Sequence, residues 1–118
     1  DVSFNPIKYN VDGYTILVGR NNKENDYLSL KFANKNDLWF HTKDIHGSHV
    51  ILKADKPISD DILVKAAEIA AKHSQAKESS NVPVDYCKVQ YVKKPNSSKP
   101  GMVIFTNNKT LNVNPLKA

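Results

Sequence analysis

The 118-residue chain is 40% apolar and 25% charged, which excludes a disordered segment as the default and suits one folded domain while being too short for two. Its uninterrupted apolar runs stay a few residues long, as in Thr15-Ile16-Leu17-Val18, far below the roughly 20 that a spanning helix needs, so no membrane segment is expected. The formal net charge of +5 is lopsided: residues 1–84 hold eleven Lys/Arg and eleven Asp/Glu, whereas residues 85–118 hold six lysines and one acid, Asp85.

The opening reads as a hairpin. Phe4, Ile7 and Tyr9 precede Asn10-Val11-Asp12-Gly13, and Tyr14-Thr15-Ile16-Leu17-Val18 follows; Asp-Gly marks the turn because Gly accepts the positive φ that tight hairpins demand. Gly19-Arg20-Asn21-Asn22 breaks the strand. Residues 24–33 suit a short helix capped by Asn25 or Asp26, although Leu28-Ser29-Leu30-Lys31-Phe32 also alternates like a strand; helix is the preferred reading. Asp37-Leu38-Trp39-Phe40-His41 and His49-Val50-Ile51-Leu52 read as central strands, joined by a polar connection with Gly47.

The clearest helix covers about residues 59–75. Ser59 is the N-cap, Asp60 and Asp61 complement the dipole, and Ile62, Leu63, Ala66, Ala67, Ile69 and Ala70 form an apolar face whose alanines suit close packing on a sheet. Three further strands read as a meander: Asp85 to Val92 with Cys87, Val89 and Tyr91 inward, Met102 to Phe105, and a last one with Leu111 and Val113. The fold class is α+β, a mostly antiparallel sheet with one principal helix packed on it and a short second helix.

Chemistry concentrates between Asp37 and His49. On an alternating strand Asp37, Trp39, His41 and Lys43 share one face, a platform for unpaired bases and their phosphates; Gly47-Ser48 lets backbone approach a ligand. The competing reading makes Trp39 core and Asp37 and Ser48 turn caps. Arg20 can clamp a phosphate beside Asn21 and Asn22, or simply end a strand. Lysines gathered on one face displace counterions from phosphates, but they also guard sheet edges, and charge alone leaves both open. His41, Ser48 and His49 with Asp37 or Asp44 contain the residue types of a triad, yet no nucleophile elbow surrounds Ser48. His41, His46 and His49 match no zinc spacing. No catalysis, metal or cofactor is expected. The lone Cys87 and the absence of a basic-then-apolar start over Asp1 to Asn10 lead to a cytoplasmic expectation.

Asp12-Gly13-Tyr14, Val18-Gly19-Arg20-Asn21-Asn22, Asn25-Asp26-Tyr27-Leu28, Asp37 to His41, Lys43-Asp44-Ile45, Gly47 to Ile51, Val84-Asp85-Tyr86, Val92-Lys93-Lys94-Pro95 and Lys99-Pro100-Gly101 together resemble, in order and over nearly the whole chain, the NFACT-R domain. That domain occurs in RqcH-type ribosome quality control proteins, also described as fibronectin-binding protein A-like, and in smaller stand-alone forms. Two positions depart from the pattern: His46 stands where proline is expected and Cys87 where threonine is. The resemblance implies an RNA-contacting module, with tRNA and the large ribosomal subunit as partners, in a factor that supports alanine addition to nascent chains on stalled subunits. Fibronectin is the alternative partner that the family's other name implies. The RNA-contacting residues expected are Arg20, Asn21, Asn22, Asp37, Trp39, His41, Lys43, Asp44, Gly47, Ser48, His49, Lys93, Lys94 and Lys99.

Overall fold

A computed structural model describes residues 3–117. Strands β1 (Ile7–Val11) and β2 (Tyr14–Val18) pair antiparallel, with Ile7 opposite Val18 and Val11 opposite Tyr14. Asp12 and Gly13 both adopt positive φ, 50° and 82°, the conformation of a two-residue turn whose twist matches its strands. Strands β3 (Leu38–Thr42), β4 (Val50–Leu52), β5 (Val82–Lys88) and β8 (Lys109–Val113) complete a six-stranded sheet in the order β1-β2-β4-β3-β5-β8, every neighbour antiparallel. The expected α+β class is thus observed.

Helix α2 (Asp60–Lys72) covers one face of this sheet. Ser59 caps it by accepting the Ile62 amide at 3.3 Å, and Ala66, Ala67, Ala70 and Ala71 are fully buried against Ile16, Val18, Phe40, Val50, Leu52 and Val84. Small side chains let helix and sheet approach closely, as their spacing implied. The helix stops at Lys72, short of the expected 75, because Ser74 folds back: its hydroxyl donates to the Ala71 carbonyl at 2.7 Å, and Ser74 bridges to Gly47.

The opposite face carries Leu17, Trp39, Ile51 and Cys87, and needs its own cover. Part of it comes from α1 (Asn22–Tyr27), which runs on into a π-helical turn over Leu28–Phe32. The expected helix is therefore present, but its cap is Asn21 rather than Asn25 or Asp26: the Asn21 side chain accepts the Glu24 amide at 2.9 Å, freeing Asn25 and Asp26 for contacts elsewhere.

The rest of the cover corrects the expected meander. Strand β5 ends at Lys88: the Val89 amide still bonds to the carbonyl of its register partner Asp37 at 2.9 Å, but the Gln90 amide slips to the Lys35 carbonyl at 3.2 Å and the ladder stops. A 3-10 turn at Val89–Tyr91 then lifts the chain over the sheet, where β6 (Val92–Lys93) and β7 (Ile104–Phe105) make a separate two-stranded sheet. Val89 and Val92 are buried on Trp39's face. Strand β8 then returns to pair with β5, Val82 opposite Val113.

Candidate functional site

Alternation along β3 sends Phe40 toward α2 and Trp39 with His41 to the other face. Their rings lie parallel, centroids 5.8 Å apart. His49, at the entry to β4, stands edge-on to both, 5.4 Å from Trp39 and 5.6 Å from His41, and Phe105 of β7 tilts against Trp39 at 4.7 Å. Trp39 is 1% exposed and His49 2%, whereas His41 is only partly covered. Trp39 is therefore core, as the competing reading has it, and the expected exposed platform is replaced by a recess that Trp39 backs and the partly exposed His41 and Phe105 line. Phe105 and the β6–β7 excursion supply the overhang that period-2 reasoning about β3 could not foresee.

Polar contacts hold this floor in place. The His49 ring meets the Ser29 hydroxyl through Nδ1 at 2.8 Å and the Gly101 carbonyl through Nε2 at 3.2 Å, while its backbone amide donates to Asn25 Oδ1 at 3.1 Å. Burial, with His41 close by, pulls its pKa down to about 4, so it is neutral at physiological pH. Burial also lowers the pKa of His41, partly offset by the carbonyls of Thr42 and Gly47. A neutral imidazole both donates and accepts hydrogen bonds, which suits reading a base edge better than gripping phosphate.

Two loops wall the recess. Residues 43–49 are zipped to the end of α2: Ser48 N–H donates to the His73 carbonyl, Gln75 N–H to the His46 carbonyl, and Thr42 Oγ1 to the Ile45 carbonyl. A Cβ on Gly47 would sit 2.8 Å from Ser74 Cβ, so the close approach requires glycine. The opposite wall is residues 94–103. Lys94 forms an ion pair with Asp26 at 3.1 Å and donates to the carbonyls of Lys99 and Met102, and the Gly101 amide donates to Asp26 Oδ1 at 3.0 Å.

Three contiguous hollows result. The innermost, about 310 Å³, is lined by Trp39, His41, His49 and Phe105 together with Asn22, Asn25, Asp44, His46, Gly47, Gly101 and Met102 among others. On one side it opens past Asn22, Asn25, His46 and Gly47 to Arg20, Ser48, Lys72, His73 and Lys77. On the other it opens past Asn22, Pro100 and Met102 to Asn21, Lys23 and Lys99. One acid, Asp44, lines this groove against Arg20, Lys23, Lys72, Lys77 and Lys99.

The sequence-expected residues divide accordingly. Asn22, Trp39, His41, Asp44, Gly47, Ser48, His49 and Lys99 come together in the groove, with Arg20 and Asn21 at its edges. The Arg20 guanidinium is committed internally: Nε and Nη2 donate to the two oxygens of buried Glu24, each at 3.0 Å, and this contact holds the Glu24 carboxyl down to about 2. Asp37 lies outside the groove. Buried, it accepts Lys53 Nζ and the amides of Asn34 and Ala54, serving as a turn anchor. Lys43 pairs with Asp85 at 3.5 Å. Lys94 is the wall's clasp, and Lys93 lines a different hollow with Ser29, Lys35 and Val89.

The late lysines do not form one face. Lys88 and Lys109 border a third region beside Leu38, Tyr86 and Asn107. Of the late lysines only Lys99 lines the groove, whose other cations come from two further segments, Arg20 with Lys23 and Lys72 with Lys77; Lys23, Lys72 and Lys77 carry no signal in the sequence. Lys72 and Lys77 become neighbours of Gly47 through the Ser74 bridge, a tertiary contact with no sequence signature. Asn25 is legible in the sequence as a cap candidate and as part of the family motif, but not as a groove residue; His73, half-buried and bonded to Tyr9 Oη at 2.8 Å, carries no such signal.

Among the described residues, no group of acidic, His and Cys side chains is arranged to hold a metal ion, and no helix is long and apolar enough to cross a membrane. Cys87 is buried, and its thiol pKa is pushed up to about 11 by burial first and then by Asp85.

Comparison with known proteins follows this geometry. A family profile described as NFACT protein RNA binding domain matches residues 3–107. The Rqc2 homolog RqcH of Bacillus subtilis is 50% identical over 103 residues, covering 87% of this chain and 18% of that protein. The protein of the same name from Streptococcus pneumoniae (strain D39) is 49% identical over 105 residues, 88% of this chain and 19% of that protein. Coiled-coil domain-containing protein 25 of Bos taurus is 28% identical over 116 residues, 93% of this chain and 55% of that protein. A solved structure, described as the C-terminal part of the fibronectin/fibrinogen-binding protein from Streptococcus suis, superposes with a TM-score of 0.93 at 43% identity, covering 99% of this chain and 48% of that one. The chain thus spans about a fifth of the length of the RqcH proteins it matches. With a recessed aromatic floor, a cation-bordered groove and a profile match along most of its length, this chain belongs to the NFACT protein RNA-binding domain family.

Proposed function

We propose that the groove over Trp39 is an RNA-binding surface, and that the chain serves as the RNA-contacting module of a ribosome quality control factor acting on stalled large subunits. The observation that carries this is the lining of the groove: Lys23, Lys72, Lys77 and Lys99 face one acid, Asp44, around neutral imidazoles and side-chain amides. Ammonium groups spaced along a groove follow a phosphate backbone, while amides and imidazoles read what the backbone carries. Family membership and the likeness to RqcH support the ribosomal setting. tRNA and ribosomal RNA are the proposed ligands, support of alanine tailing is the proposed role of the larger factor, and the cytoplasm is its proposed location. The module is read as binding rather than catalytic: the serine hydroxyl bonded to an imidazole of the innermost hollow, Ser29 on His49 Nδ1, is buried with its partner and out of a substrate's reach.

Filter binding of tRNA over a salt series tests this reading. Affinity should fall steeply as salt rises, with a log–log slope set by the phosphates neutralised; affinity indifferent to ionic strength would contradict it. The printed description of the Streptococcus suis structure favours a second reading, a fibronectin-binding surface. Saturable fibronectin binding by the isolated chain, untouched by competing tRNA and by loss of Lys72 and Lys77, would establish it in place of the first.

A further inference from the structure

The innermost hollow has a property the rest of the groove lacks. Trp39 Nε1 is the one buried side-chain polar atom among the described residues that has no hydrogen-bond partner in the protein. An indole N–H can only donate, and an unpaired buried donor is costly to a fold. Nε1 itself is closed off from solvent, but its residue backs a recess of about 310 Å³, at the small end of the range in which compact organic ligands bind, so the indole senses what enters without bonding to it. Planar side chains shape this recess: Trp39 and His41 lie parallel, and Phe105 and His49 tilt or stand edge-on at the floor. Asn25, with Oδ1 occupied by the His49 amide, has its NH2 left to donate.

We propose that this recess receives a single unstacked nucleobase of the bound RNA, held between the partly exposed His41 and Phe105 rings and the Met102 rim, with buried Trp39 behind it and Asn25 at its edge. The idea rests on the RNA-binding reading above and adds to it: the ligand must present an unpaired base rather than a continuous duplex. A flat, acceptor-bearing heterocycle is the occupant the lining fits. Its faces match the His41 and Phe105 rings, its ring nitrogens and carbonyl oxygens match the Asn25 NH2 and the His41 ring, and its attached phosphates lie toward the ammonium groups of the adjoining hollows. His41, neutral because burial lowers its pKa, can donate or accept as the base requires.

The chain has a single tryptophan, so its fluorescence and its indole N–H resonance report on this recess alone. Three ligands should be titrated into the protein at low salt: a short single-stranded RNA of mixed sequence, an abasic strand of equal length, and a perfect RNA duplex. Expected are a change in Trp39 emission and a displaced indole resonance with the intact single strand only, and about a tenfold weaker affinity of His41→Ala for that strand but not for the abasic one. A thermal melt controls for folding of the variant, and the resonance readout needs no variant. Salt-dependent binding of all three with a silent Trp39 overturns the base recess and leaves the RNA-binding reading intact. Binding of none overturns both. An aromatic peptide that moves the indole resonance where the single strand does not reassigns the recess to a protein ligand and overturns the proposal.

Discussion

The imidazole of His49 lies 3.2 Å from the carbonyl oxygen of Gly101, and because that oxygen can only accept, Nε2 carries the proton. Nδ1 must then accept from the Ser29 hydroxyl, 2.8 Å away. The buried ring therefore ties β4, the π-helical turn and the 94–103 wall together, and burial keeps it neutral.

Stability should consequently depend on pH on the acid side of neutrality. The His49 pKa is about 4 in the fold against about 6.5 in an unfolded chain, so the unfolded state takes up the proton first. Stability is fully present above about pH 6.5 and declines as pH falls toward 4, with His41 and His73 shifted in the same direction. Urea denaturation should show a loss on the order of 2 kcal/mol between pH 7 and pH 5 from His49. A His49→Gln variant should lose the larger part of that slope; an unchanged slope would remove His49 as its source.

Two glycines should separate strain from function. A Cβ on Gly19 would meet Asn25 Oδ1 at 1.9 Å and break its bond to the His49 amide, so Gly19→Ala should cost about 2 kcal/mol and weaken RNA binding together. Gly13 sits at φ 82° in the β1–β2 turn, where a Cβ meets only the flexible end of Lys56. Gly13→Ala should cost about 1 kcal/mol with RNA affinity intact. Equal effects on binding would disconnect Asn25 from the groove.

Salt dependence should report which lysines meet phosphate. Replacing Lys72 and Lys77 by alanine should flatten the log–log salt slope of RNA binding by roughly 0.7 to 0.9 for each phosphate contact removed. Replacing Lys88 and Lys109, on the far side of the sheet's register, should leave the slope unchanged. The opposite ranking would return the interface to the C-terminal lysines.

Lys94 should behave as a clasp rather than a phosphate contact. Its ammonium is already shared by Asp26, Lys99 O and Met102 O, so Lys94→Met should destabilise by about 1 kcal/mol and weaken RNA binding through a loosened wall. The salt slope should stay where it was; a drop of about one unit would place a phosphate on Lys94.

Local chemistry was legible in the residues wherever neighbours in sequence are neighbours in space. Asp12-Gly13 announced its turn, Ser59-Asp60-Asp61 its helix start, and the alanine face of α2 its close packing. Resemblance to a known family located the groove better than periodicity did, since it drew in Asn22, Gly47 and His49 together. What could not be read were features made by folding over. Lys88 reads as mid-strand because Cys87, Val89 and Tyr91 alternate, yet after Val89 the Gln90 amide leaves the ladder for the Lys35 carbonyl. Trp39 reads from its strand as either platform or core, and the choice falls to core because Phe105, from a distant segment, covers it. The charge skew misled for a related reason: Lys72 and Lys77 reach the groove through a Gly47–Ser74 contact that spans the helix.

Direct pairing of β5 with β8 means that the sheet closes without help from residues 89–108. The tip of that segment, residues 95–100, can be lengthened, shortened or exchanged between relatives while every ladder keeps its partners and Val89, Val92 and Phe105 keep Trp39 covered. One bank of the groove is in that sense a replaceable cassette, so natural variants could diversify what they recognise without re-evolving how they fold.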